Sequence, residues 1–105
     1  MPTSGEGRTR VWANVERVGK DMVLVLGGGE APHIGGVVLA VPGEGVQTLV
    51  HGPHRDLEVL VPLAGTVSAR YGVTVVAVGG VHIDHATPEE IAVVVRNCRA
   101  LADMI

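Results

Sequence analysis

Hydrophobic and polar residues alternate along the first half of the chain in a pattern that predicts β-strands. The alternation is clearest over residues 10–18, as in a half-buried strand. Short apolar runs separated by glycine-containing turns or loops continue as far as Val50. The expected strands cover residues 10–18, 22–26, 34–41 and 46–50, with the first two forming a hairpin and an irregular segment at 27–33.

The period of the pattern changes to that of a helix after residue 56. The apolar residues at helical spacing are Leu57, Leu60, Val61, Ala64 and Tyr71. Gly72 predicts the end of this helix, whereas Pro62 and Gly65 predict a kink or a short turn before its main part.

A continuous apolar run at residues 73–78 predicts a central strand covered on both faces. The last helix begins with Thr87, Pro88 and two glutamates, which predict an N-cap and a capping box. Its apolar stripe consists of Ile91, Val94, Val95, Cys98, Leu101 and Ile105. The order ββββαβα predicts an α+β fold in two layers, a mainly antiparallel sheet with both helices packed on one side.

Composition limits the classes of function. The 105 residues suffice for one domain, expected at 11–105 after a flexible leader at 1–10. Basic residues form no block, which argues against nucleic-acid binding, and no apolar run is long enough to cross a membrane. The single cysteine, Cys98, suits a reducing cytoplasm. Neither it nor Ser68 has the local setting of a catalytic nucleophile.

The glycine-rich segment 27–36 is the first candidate site. Gly28, Gly29 and Gly35 allow close approach of the backbone to a ligand, and the N–H groups of Gly28 and Gly29 could meet a phosphate. Pro32 and His33 lie between these glycines. A wide turn with a hydrogen-bonded histidine explains the segment equally well.

Two further segments carry polar groups. His82 and Asp84 could ligate a metal, exchange protons or hydrogen-bond a polar heterocycle, and His85 follows them. Alternatively, Asp84 makes an Asx turn and His82 is packed. Residues 51–56, which include His51, His54 and Arg55, could bind an anion at a helix start or form an ordinary solvated helix start.

Three parts of the chain together resemble a known family. They are Gly28-Gly29-x-x-Pro32-His33-Ile34-Gly35, Val81-His82-Ile83-Asp84-x-Ala86-Thr87-x-Glu89-Glu90-Ile91, and Asn97. The chain resembles, from about Trp12 to its C-terminus, the prenylated-flavin chaperone family of LpdD-like accessory subunits of UbiD-type gallate decarboxylases. It has His85 where that family has Asn.

The resemblance implies a non-catalytic cytoplasmic protein that binds prenylated flavin mononucleotide (FMN) and helps to mature or protect a UbiD-like aromatic-acid decarboxylase. It also implies a homodimer and a fold similar to proteasome-assembly-chaperone domains. The cofactor-binding residues that it implies are Gly28, Gly29, Pro32, His33, Ile34, Gly35, His82 and Asp84. Because Trp12 and Tyr71 are the only residues available for ring stacking, Pro32, Ile34 and valines would have to sandwich the flavin.

Two other functions compete with this one. The chain could be a small metal-dependent enzyme that uses His33, His82, Asp84 and possibly His85. It could also be a purely structural assembly chaperone that holds a partner through a sheet edge or through the apolar stripe of the last helix.

Overall fold

The computed structural model describes residues 1–52 and 54–105. These residues form six strands, two α-helices, and 3₁₀ turns at Gly7–Thr9 and His54–Asp56. The strands are β1 (Thr3–Ser4), β2 (Val11–Val18), β3 (Asp21–Gly29), β4 (Gly36–Val41), β5 (Gly45–Val50) and β6 (Val75–His82), and the helices are α1 (Leu57–Tyr71) and α2 (Pro88–Met104). The α+β class is confirmed, as is the order ββββαβα from β2 to α2.

The strands form a single sheet in the order β1-β2-β3-β6-β4-β5. Strand β6 lies between the hairpins β2–β3 and β4–β5, parallel to β3 and antiparallel to β4. All the other neighbouring strands are antiparallel, so the predicted mainly antiparallel sheet is confirmed.

Alternate residues of the sheet face the two helices and form the core. Leu24, Leu26, Val38 and Ala77 are almost fully buried, because they face the helix layer. The helices contribute a matching set of buried side chains, among them Leu60, Leu63, Val67 and Leu101.

The opposite side of the sheet is apolar but less buried. We call it the open sheet face; it consists of the half-buried Trp12, Val23, Val25, Val37, Leu39, Val76 and Val78, and the exposed Leu49. Strand β6 is central, as predicted, but its expected cover on both faces is wrong for the part of the chain that the structure describes. Both helices pack on the other side, because they share one core.

Two strands run further than predicted. The sequence predicted irregular structure at residues 27–33 and a strand at residues 73–78, yet β3 continues to Gly29 and β6 continues to His82. The third predicted strand is shorter than expected, because β4 begins only at Gly36. Close neighbours explain two of the glycines. A Cβ at Gly27 would lie 2.2 Å from the Trp12 ring, and one at Gly79 would lie 1.9 Å from the carbonyl oxygen of Leu26.

Helix α1 is continuous through Pro62, so the expected separate turn before its main part is wrong. Pro62 is exposed, while buried residues on either side of it in the sequence hold the helix against the sheet. The predicted end at Gly72 is confirmed: this residue has φ 64°, and its N–H donates to the carbonyl of Ser68 at 2.8 Å.

Helix α2 begins as predicted. The Thr87 hydroxyl accepts from the backbone N–H of Glu90 at 3.1 Å, and the Glu90 carboxylate accepts from the N–H of Thr87 at 3.0 Å. Neither α-helix in the described ranges is both long and apolar enough to span a membrane.

The first ten residues, predicted as a leader, contact the rest of the fold. Thr3 and Ser4 pair with Trp12 and Val11 of β2. The carbonyl of Thr9 accepts a hydrogen bond from the Asn97 side chain of α2 at 3.0 Å.

Candidate functional site

The two glycine- and histidine-containing segments meet where β3 and β6 end. Gly29 pairs with His82, and the N–H groups of Glu30 and Ala31 both donate to the carbonyl of His82, at 2.8 and 3.3 Å. The His33 ring stands edge-on to the His82 ring, with 6.1 Å between centroids and 82° between planes. Segments that are distant in the sequence therefore form one polar site.

Asp56 ends the candidate segment 51–56, where the sequence pattern indicated no separate role for it, and it connects the two segments. It holds the N-cap position of α1, but its side chain makes no capping hydrogen bond. Instead, Oδ1 accepts from the N–H of Val81 at 3.0 Å and Oδ2 lies 3.1 Å from Nε2 of His33. The β4–β6 ladder ends at Gly36 and Gly79, so this carboxylate satisfies a backbone donor just beyond the ladder.

Two glycines provide the space for this carboxylate. A Cβ on Gly35 would lie 1.9 Å from Oδ2 of Asp56, and one on Gly80 would lie 2.9 Å from the same atom. Asp56 is only 9% exposed. Gly35 therefore belongs to the site through the carboxylate that it accommodates.

His82 and Asp84 form a second, exposed pair. Nε2 of His82 lies 2.8 Å from Oδ1 of Asp84. This hydrogen bond, followed by the charge of His82, lowers the pKa of Asp84 below its usual value of 3.8. The carboxylate is thus held ionised, ready to accept hydrogen bonds from a ligand.

Arg8, which lies in the predicted leader, fixes the loop after β6. Its guanidinium donates to the carbonyl of Asp84 at 2.6 Å and lies 2.8 Å from the Glu90 carboxylate. Glu30 accepts from the N–H of Asp84 at 3.0 Å. These contacts tie the loop 83–86 to both β3 and α2, so the His82–Asp84 pair is positioned from two sides.

A cavity of about 330 Å³ adjoins the polar site. Its polar end consists of Arg55, Asp56, Glu58 and His82. The remaining lining is aliphatic: Val59 from α1, Val81, Ile83 and Ala86 from β6 and its loop, and Ile91, Val94 and Val95 from α2. The site therefore combines hydrogen-bonding groups with an apolar recess, as is typical of small-molecule pockets.

Comparison with known proteins identifies the family. The family model described as the prenylated flavin chaperone LpdD-like domain matches residues 5–105. The chain belongs to this family. The predicted resemblance is confirmed, and the family is one of prenylated flavin chaperones. A comparison with curated proteins finds no match.

The other predicted residues occupy different settings in the LpdD-like domain. Pro32 and Ile34 are exposed beside His33, and Ile34 is 65% exposed. Gly28 and Gly29 are packed against neighbouring backbone, and the N–H of Gly29 donates to the carbonyl of Arg10 at 2.9 Å. This N–H therefore already has a partner within the fold, and its expected role towards a phosphate stays a prediction.

The third candidate segment lies next to the same site. The N–H of His51 donates to the carbonyl of Gly35 at 2.9 Å, and Arg55 lines the cavity. His85 is exposed with φ 53°. Pro53 and the side chain of His54 lie outside the described residues.

The tryptophan, the tyrosine and the cysteine considered in the sequence analysis lie outside the polar site. Trp12 packs over Gly27, and the Tyr71 hydroxyl donates to the carbonyl of Ile105. Burial raises the pKa of Cys98 to about 12, so its thiol stays protonated. Among residues 1–52 and 54–105, no group of three His, Cys, Asp or Glu side chains is arranged to hold a metal ion.

Proposed function

We propose that this LpdD-like domain binds prenylated FMN as cargo at the site around His33, Asp56, His82 and Asp84, and passes it to a UbiD-like aromatic-acid decarboxylase in the cytoplasm. The observation that carries the proposal is the meeting of two polar segments beside an apolar cavity, in a chain that matches the prenylated flavin chaperone family over residues 5–105. The domain itself catalyses no reaction in this proposal.

The polar groups suit the edge of a flavin ring, which carries both hydrogen-bond donors and acceptors. The ionised carboxylate of Asp84 can accept from a ring N–H or a ribityl hydroxyl. Nδ1 of His82, the ring nitrogen that does not bond to Asp84, can form a hydrogen bond with the ring edge, and the His33 ring stands beside it. The phosphate belongs away from Asp84, because two anions repel each other.

Exposed apolar residues provide walls for the ring. Pro32 and Ile34 flank His33 on a loop that faces solvent. Trp12 and Tyr71 make other contacts and do not stack on the ring. Aliphatic side chains contact the flat ring instead.

The direct test is titration of the protein with reduced prenylated FMN, followed by absorbance and calorimetry. The substitutions His33→Ala and His82→Ala are each expected to weaken binding at least about tenfold, the equivalent of about 1.4 kcal/mol. Lys20→Ala is the control, because Lys20 lies in the β2–β3 turn at the opposite end of the sheet. Wild-type protein that binds no prenylated FMN, or variants that bind it unchanged, would contradict the proposal.

The role towards a decarboxylase needs a separate experiment. A UbiD-like decarboxylase is produced with and without this chain, and the fraction of enzyme that carries cofactor is measured. We expect a higher fraction with the wild-type chain than with His33→Ala. Turnover per loaded enzyme should be the same in both preparations, because the chain acts before catalysis. An unchanged fraction would count against delivery even if flavin binding is real.

We further propose that two copies pair through the open sheet face. Across β4, β6 and β3 this face presents rows of aliphatic side chains, such as Val37–Val78–Val25. Asn14 and Glu16 on β2 and Gln47 on β5 give it polar ends, while Leu49 on β5 extends the row of Val37. An apolar centre with a polar rim is the usual anatomy of a specific interface. The face measures about 20 Å in each direction at normal strand spacing, enough for several hundred Å² per copy.

A second copy is the favoured occupant of this face. A chaperone has no client bound during part of its cycle. A large apolar face would then be exposed to water unless something other than the client covers it. A two-fold axis would place the same aliphatic rows against each other, because a symmetric dimer uses the same patch on both copies. The continuous apolar run of β6 also fits a strand that is covered on both faces.

A further inference from the structure

The cavity beside His82 differs in character from the polar site at its mouth. The charged residues Arg55, Asp56 and Glu58 lie together on the segment that enters α1. Both oxygens of Asp56 are already engaged, by the Val81 N–H and by His33. The walls formed by β6, its following loop and α2 are aliphatic apart from His82. The recess therefore offers apolar contact and few free hydrogen-bonding groups.

We infer that this cavity receives the branched hydrocarbon that prenylation adds to the flavin, while the flavin ring edge stays at the histidines outside. The inference rests on the proposed function and deepens it, because it assigns the discrimination between prenylated and unmodified FMN to one set of residues. Ala86, Ile91 and Val95 are the side chains that would contact the hydrocarbon.

Size and chemistry support a partial occupant. A volume of about 330 Å³ lies at the lower end of the range for small-molecule pockets, which suits one portion of a cofactor. The heteroatom edge of a flavin ring would lose its hydrogen bonds to water among Ile91, Val94 and Val95, whereas a branched hydrocarbon loses none. Apart from the imidazole of His82, the lining contains no aromatic side chain that would stack on the ring.

The substitution Ala86→Leu tests the inference by reducing the volume of the recess. Ala86 is half-buried in the loop before α2 and lines the cavity. The matched control is Ala92→Leu, because Ala92 is exposed on α2 and lies outside the cavity lining. Val95→Phe fills the same recess from α2 and replaces Ala86→Leu if thermal unfolding shows that the first variant is not folded.

Dissociation constants for prenylated FMN and for unmodified FMN are measured on each protein under anaerobic conditions. We expect wild type and Ala92→Leu to bind the prenylated form at least about tenfold more tightly than FMN. Ala86→Leu should weaken the binding of prenylated FMN until its dissociation constant is close to that of FMN. The dissociation constant of FMN itself should not change.

Four results would overturn the inference. Equal affinities of wild type for the two flavins would overturn the inference but not the proposed function. So would an Ala86→Leu variant whose two dissociation constants both match those of wild type. An Ala86→Leu variant that weakens both flavins equally would instead assign the cavity to the ring that they share. Wild type that binds neither flavin would overturn the proposed function as well.

Discussion

Asp56 has a role that its sequence position does not indicate. An aspartate directly before a helix usually accepts a hydrogen bond from the first N–H groups of that helix. Here the carboxylate instead bonds to the N–H of Val81 and lies beside Nε2 of His33, so that it joins the start of α1 to the end of β6. The orientation of His33 thus depends on a residue from a third segment.

Removal of this carboxylate should destabilise the fold. Asp56→Ala leaves the partly buried N–H of Val81 without an acceptor, and we expect a loss of about 1–3 kcal/mol in the free energy of unfolding. Asp56→Asn should lose less, because its amide oxygen can still accept from Val81. Urea unfolding measures both variants. The control Asp103→Ala, at a side chain that is 82% exposed, should change stability by less than about 0.5 kcal/mol.

The His82–Asp84 pair predicts a specific titration. The pKa of Asp84 should lie below 3.8 in the folded protein and rise in His82→Ala, because the hydrogen bond from His82 is the main cause of the shift. Because the folded pKa is depressed, this pair stabilises the fold above the unfolded pKa, and the contribution is lost as pH falls through the folded value. Carboxylate chemical shifts measured by NMR between pH 2 and 6 test this, and an unchanged pKa in His82→Ala would contradict it.

At the scale of elements, glycine has different roles in the sheet and in the helices. Gly35→Ala places a methyl group onto the Asp56 carboxylate, and we expect a loss of about 1–3 kcal/mol from overpacking. Gly65→Ala in α1 meets no neighbouring atom within 4 Å and should stabilise the protein by about 0.5–1 kcal/mol. Chemical denaturation of the two variants side by side tests this contrast. A Gly35→Ala variant as stable as wild type would refute the packing explanation.

Most elements were predictable because their causes are local. The alternation over residues 10–18 and the capping box at Thr87 lie within a few positions of the structure that they specify. The errors arose where a distant partner decides. Gly27 and Gly79 look like strand breakers, but they lie within strands because Trp12 and Leu26 fill the space that a side chain would need.

The same distinction applies to the site. His33 and His82 stood out as polar residues in glycine-rich surroundings, and the structure brings their rings together. Asp56 and Arg8 were missed because an aspartate before a helix and an arginine near the amino end are both common. The contacts of Asp56 and Arg8 depend on how the strands are arranged in the fold, which their sequence neighbours do not indicate. The site binding assignments themselves stay predictions until a flavin titration is done.

At the scale of the whole molecule, the open sheet face predicts the oligomeric state. We expect wild type to sediment as a dimer at micromolar concentration and Val78→Lys to sediment as a monomer, because a charge at the centre of an apolar interface is costly to bury. Val46→Lys is the control: Val46 is 45% exposed on β5 and pairs with Ala40, whose side chain faces the helices, so it lies on the other side of the sheet. Circular dichroism confirms that both variants are folded. A monomeric wild type, or a dimeric Val78→Lys, would refute the pairing.

The insertion of β6 between two earlier hairpins has a consequence for synthesis on the ribosome. The hairpins β2–β3 and β4–β5 can each form as soon as their residues emerge, but β3 and β4 are separated by β6 in the finished sheet. Until β6 has been translated, the inner edges of both hairpins carry backbone groups with no partner. The nascent chain is thus most prone to aggregation before residue 82 emerges, and stable tertiary structure should appear late and cooperatively.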